Sequence, residues 1–168
     1  MKVWALIAGL VLAAPNPVAA QDLIYSDQAT RSCLGQASDA RQQESCAGQS
    51  ARVCMSATPG GQSTAAMSGC LDRELTFWDG LLNSYYQSAL SRARQFDQEQ
   101  SQYGAVGQTL EDALRAMQRA WIPFRDASCD FARVQWGGGT GGGPATLTCL
   151  MEHTARQALV VGRFGAGG

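Results

Sequence analysis

Lysine is all but absent from this chain. Lys2 is the only one, and the other twelve of its 13 basic residues are arginines. They face 14 acids, and only 16% of residues are charged, so nothing supplies the basic face that nucleic-acid binding needs. Histidine is nearly missing too, with His153 the only one. That removes the two- and three-histidine sets of the usual zinc sites, and it leaves a Ser or Cys nucleophile a single candidate base. There is no G-x-S-x-G elbow. No cysteines stand at C-x-x-C spacing, and the shortest gap runs from Cys46 to Cys54. No apolar run reaches the roughly 20 residues that a bilayer-spanning helix requires. These gaps argue for a non-enzyme that carries no metal or cofactor and binds no nucleic acid.

What is present starts with a targeting pattern. Lys2 gives a positive start, Val3 to Ala14 an apolar stretch, and Val18-Ala19-Ala20 small residues before Gln21. Residues 1–20 therefore read as a cleaved secretory signal, with no membrane insertion after cleavage. All six cysteines lie beyond it, and none waits at the cleavage point to be lipidated. An even number in a secreted chain implies a disulfide framework in a periplasmic or secreted protein. Without Lys2, twelve arginines against 14 acids leave a net charge of −2.

The rest reads as all-α, a small antiparallel helical bundle stapled by disulfides. Residues 21–56 form an N-terminal helical elaboration, with one or two short helices between Ser26 and Met55. Residues 57–162 form the main helical domain, and 163–168 a flexible tail. Gly61 to Ser68 is a small-residue loop. Leu71, Leu75, Trp78, Leu82, Tyr85, Ala89 and Phe96 trace one face of a helix from about Gly69 to Gln100. Tyr103-Gly104-Ala105-Val106-Gly107 breaks it, and Thr109 caps a second helix. That helix turns Leu110, Leu114, Met117, Trp121, Phe124, Ser128 and Phe131 inward, and Pro123 should bend it. A last helix runs from about Pro144 to Val161. Disulfides between neighbours (Cys33–Cys46, Cys54–Cys70, Cys129–Cys149) suit this layout. The main rival set joins Cys70 to Cys129, since six cysteines allow about 15 pairings.

Three constellations need weighing as chemistry. The pairs Asp72/Glu74 and Glu111/Asp112 sit near helix starts, where the macrodipole favours negative charge. Asp126 and Asp130, beside Arg125 and Arg133, read as ion-pair members. The run Gly137-Gly138-Gly139-Thr140-Gly141-Gly142-Gly143 contains G-x-G-x-x-G, but without the preceding strand of a dinucleotide site it is a flexible loop. Arg125 stands one turn beyond Trp121, placed to cover the indole. Asn83, Gln118 and Arg125 are placed for a polar network between the two long helices.

At these residues the chain resembles the LprI-like family of secreted bacterial domains, named for a lysozyme inhibitor. The matching blocks are Asp79, Leu82, Asn83 and Tyr86, then Gln118, Trp121, Phe124, Arg125, Asp126 and Cys129. A third block, Cys149-Leu150 with Thr154, departs from the pattern in placing Arg156 only two residues after the threonine. The resemblance covers about Cys54 to Ala158 and implies a helical, disulfide-linked domain and, for some members, lysozyme inhibition. Its motif residues fall mostly on the predicted apolar faces, which suits a structural role.

The resemblance makes the leading reading an inhibitor whose partner is a lysozyme-type muramidase, blocked by occlusion of its cleft. Arg133, Trp136 and the loop Gly137–Gly143 are the contact candidates. A net negative charge would favour encounter with basic lysozymes. The alternative is a non-inhibitory envelope module that binds a periplasmic protein or peptidoglycan, with Tyr85, Tyr103 and Trp136 as stacking aromatics. The third is a hydrolase of unrecognised type.

Overall fold

The computed structural model describes residues 22–104 and 107–165. The secretory-signal reading of residues 1–20 lies outside them, as do Ala105, Val106 and residues 166–168. Among the described residues the chain is helical with no strand, in the order α1 (Gln28–Gln36), α2 (Ala40–Ser45), α3 (Gln49–Ala57), α4 (Thr64–Gln102), α5 (Leu110–Val134) and α6 (Gly142–Gly165). The three bridges are Cys33–Cys46, Cys54–Cys70 and Cys129–Cys149, and no cysteine is free. Their separations of 13, 16 and 20 residues correspond to about 3 kcal/mol each in the chain-entropy account.

Helix α4 is the spine. Ser63 caps it by accepting from the Ala66 amide, so it begins inside the stretch expected to be loop. Leu71, Trp78, Leu82, Ala89, Leu90 and Ala93 bury one face, chiefly against Met151, Ala155, Ala158 and Val161 of α6. Gly162 of α6 leaves room for the Tyr85 ring: a Cβ there would lie 2.6 Å from the tyrosine Cδ2. Phe96, expected inward, is instead 46% exposed, because α6 ends before it can cover that turn.

The α4–α5 corner is fixed by capping. Thr109 accepts from the Asp112 amide at 3.1 Å, and Asp97 of α4 takes the Leu110 and Glu111 amides at 2.8 and 2.9 Å. Glu111 receives hydrogen bonds from Arg94 and Arg115, which hold its carboxyl below the usual range. Pro123 lies within α5 on its exposed side. There its missing N–H costs a hydrogen bond without ending the helix.

Two expectations are corrected at the chain ends. The N-terminal segment holds three short helices rather than one or two. Residues 163–165 form the last turn of α6 and are not tail.

Candidate functional site

Glu74 is no helix-start charge. It lies in the third turn of α4, has no exposed surface, and accepts four hydrogen bonds. Thr30 Oγ1 (2.7 Å), the Gly48 amide (2.9 Å) and Trp78 Nε1 (3.2 Å) donate to Oε1, and the Ala51 amide (2.6 Å) to Oε2. Thr30 and Ser50 bond each other reciprocally above it. Gly48 caps α3 with φ +86°, a left-handed conformation that favours glycine. This cradle of four donors fastens α1 and α3 to α4. It reads as structural. The sequence carried one signal of it: Glu74 stands three residues after Leu71 and four before Trp78, a carboxylate on the apolar stripe.

The expected network of Asn83, Gln118 and Arg125 does not form. Asn83 bonds Asp79 at 3.2 Å on the solvent side of α4. Gln118 accepts from Gln157 of α6 at 3.0 Å. Arg125 pairs with its neighbour Asp126 at 2.8 Å. The helix period explains this, since Asp79 and Asn83 sit away from the Leu82 and Tyr86 side of α4, which packs on the core. The stacking expectation holds, with the Arg125 guanidinium 4.8 Å from the centroid of Trp121.

Phe124 and Phe131 overturn a second expectation. They are 61% and 66% exposed, and Met117 is 40% exposed. Helix α5 carries apolar residues on two adjacent faces, and Leu114, Trp121 and Cys129 occupy the inner one. Phe124 keeps one edge contact, with the His153 ring at 5.7 Å. Burial and the nearby Arg156 push the His153 pKa down. His153 also lies close to Cys129 and Cys149, but their sulfurs are joined to each other and offer no thiolate for a metal.

The glycine run is a succession of turns. Gly137 and Gly138 have φ of +55° and +85°, and backbone bonds link Gly139 to Trp136 and Gly142 to Gly139. The Trp136 ring lies over Gly141, where a Cβ would overlap it. Gly142 is buried, while Arg133, Trp136, Gly137, Gly138, Gly139, Thr140 and Gly143 are exposed. The Cys129–Cys149 bridge ties the helices on either side of this edge. Arg133 is exposed there, and its one ion pair among the described residues is a 3.4 Å contact to Asp130. Of the aromatics offered above for stacking, Tyr103 caps the end of α4, Trp136 follows the end of α5, and Tyr85 packs on Gly162. They form no shared platform.

The model of the family described as lysozyme inhibitor LprI matches residues 54–160. An uncharacterised protein of Rhizobium meliloti is 30% identical over 88 residues, 52% of this chain. The aligned part spans 63% of that relative's own length. No solved structure matches.

Proposed function

The chain belongs to the lysozyme inhibitor LprI family, and from that premise we propose that it inhibits a lysozyme-type muramidase by occluding the substrate cleft. Three disulfides and the family mark an extracytoplasmic protein, where such enzymes are met. The observation that carries the reading is the edge formed by Arg133, Trp136 and the turns Gly137–Gly143. Apart from Gly141 and Gly142 it is exposed, it carries a cation and an indole, and it is held at its base by Cys129–Cys149. A muramidase cleft works through two carboxylates, which an arginine complements, and its sugar subsites accept a flat ring. An edge already ordered before contact loses little freedom on binding.

The oxidised chain from Gln21 onward should inhibit lysis by at least one of the animal, goose or invertebrate lysozyme types near stoichiometric protein, and reduction should abolish the effect. Within that assay Arg133→Ala and Trp136→Ala should each weaken inhibition at least about tenfold with unchanged melting. Full inhibition by both variants would remove this edge from the contact. Absence of inhibition by a folded sample would favour the envelope-module alternative, tested next by pull-down on peptidoglycan.

A further inference from the structure

Helix α5 carries an exposed apolar stripe that the inhibitor reading does not use. Met117, Ala120, Phe124, Ala127, Phe131 and Val134 recur at alternating steps of three and four, and all six are exposed. At 1.5 Å per residue the stripe is about 26 Å long. No charged side chain interrupts it. Stripes with this spacing are the seams along which helices pair. The sequence pattern alone assigns Met117, Phe124 and Phe131 to the core, but α6 covers only the adjacent face.

We propose that this stripe is the contact between two copies of the chain, α5 against α5 in antiparallel register about a two-fold axis. The order of residue sizes carries the choice of partner. Antiparallel pairing sets Met117 opposite Val134 of the second copy, Ala120 opposite its Phe131, and Phe124 opposite its Ala127. Each phenylalanine then meets an alanine. Parallel pairing would set ring against ring and leave gaps between the alanines. A two-fold contact is also self-complementary, so every pair occurs twice.

The flank of the stripe agrees. Arg119 and Asp130 lie three turns apart on the same polar edge, and the two-fold brings Arg119 of each copy beside Asp130 of the other. Arg119 has no ion-pair partner among the described residues, and Asp130 has only the long contact with Arg133. At the start of α5 the stripe opens into an apolar groove of about 360 Å³ lined by Leu110, Met117, Val160 and Phe164. Val134 of the second copy arrives over Met117 at its rim. With a helix width of about 10 Å, each copy contributes roughly 300 Å² along the stripe, against about 800 Å² in a standard interface. The pairing is therefore weak and reversible.

Sedimentation equilibrium of the oxidised chain, without lysozyme, tests it from about 1 µM to about 1 mM, the window of a small reversible interface. The mass should climb towards twice that of one chain. Phe131→Asp should weaken association at least about tenfold, and Arg119→Asp several-fold. Arg119→Asp combined with Asp130→Arg should recover the association. Melting curves close to the parent check that the variants fold, as expected for exposed positions. A single-chain mass across the whole range would overturn the proposal. So would a dimer indifferent to both Phe131→Asp and the charge exchange. A monomer whose lysozyme inhibition falls on Phe131→Asp would assign the stripe to lysozyme, and would overturn it as well. Loss of inhibition alone, with the dimer intact, would count against the functional reading and leave this one standing.

Discussion

Replacing Glu74 should weaken the protein more than replacing any other charged residue. Its carboxylate accepts from Thr30, Gly48, Ala51 and Trp78 with no exposed surface. Hydrogen bonds to a charged acceptor contribute about 1.5–3 kcal/mol each, so four give a gross value of roughly 6–12 kcal/mol. Against this stands the cost of removing the carboxylate from water, several kcal/mol, which disappears with the side chain. Glu74→Ala also leaves four donors unmatched in a closed space, and the balance is a loss of about 3–5 kcal/mol. Glu74→Gln is the sharper probe. It preserves shape and one acceptor oxygen, but turns an amide NH2 towards the Ala51 N–H, for a loss of about 1–3 kcal/mol. For a domain of this size Glu74→Ala should lower Tm by roughly 6–20 °C. Calorimetry of the oxidised protein reads that shift, and amide exchange should show the Gly48 and Ala51 N–H groups losing protection first. A Glu74→Gln protein within about 0.5 kcal/mol of the parent would refute the claim that acceptor chemistry holds this junction.

Other expectations follow from single contacts. Gly162→Ala should cost about 1–3 kcal/mol in a denaturant melt, because its Cβ would lie 2.6 Å from Tyr85 Cδ2, and Tyr85→Leu in the same chain should recover part of the loss. Thr154 is buried with no partner for Oγ1 among the described residues, so Thr154→Val should leave stability unchanged or raise it by up to about 1 kcal/mol. Arg125→Ala should cost only about 0.5–1.5 kcal/mol, since Arg125 stacks on Trp121 and pairs with a half-exposed Asp126. A larger loss by thermal melt would show a buried partner after all. His153 has its pKa pushed below the ordinary 6.5, so the unfolded chain binds the extra proton first as pH falls. Stability should be full above about pH 6.5 and decline below it until the folded-state His153 also protonates. That part of the slope should vanish in His153→Gln, and a slope that persists would belong to other groups.

Much of the framework could be read from residues alone. The three- and four-residue recurrence through Leu71, Trp78 and Leu82 identifies α4, and Thr109 followed by Asp112 marks the start of α5. Periodicity locates an apolar face but does not say what covers it. On α5 two such faces adjoin, and the pattern alone assigns Phe124 and Phe131 to the inner one, whereas both are exposed. The polar motif residues misled in a related way. Asn83, Gln118 and Arg125 are all able to bond across helices, but the α4 period turns Asn83 to solvent and leaves Gln118 to find Gln157. Glu74 was hidden because its partners Thr30, Gly48 and Ala51 are distant in sequence and two of them donate from the backbone. The glycine run looked formless because composition carries no record of Trp136 folding back over Gly141.

The bridges have a consequence for how the chain matures. Each joins helices consecutive in the chain, α1 to the end of α2, α3 to α4, and α5 to α6, and none spans another. As the polypeptide emerges into an oxidising compartment, each cysteine meets its proper mate before the next pair appears. Pairing in order of emergence is thus already the native pairing, and an oxidase suffices where interleaved connectivities need an isomerase to reshuffle them. Between these three covalent units the assembly depends on the Glu74 cradle and the α4–α6 seam. Late maturation is therefore the docking of these bridged units, a step that single core substitutions should impede.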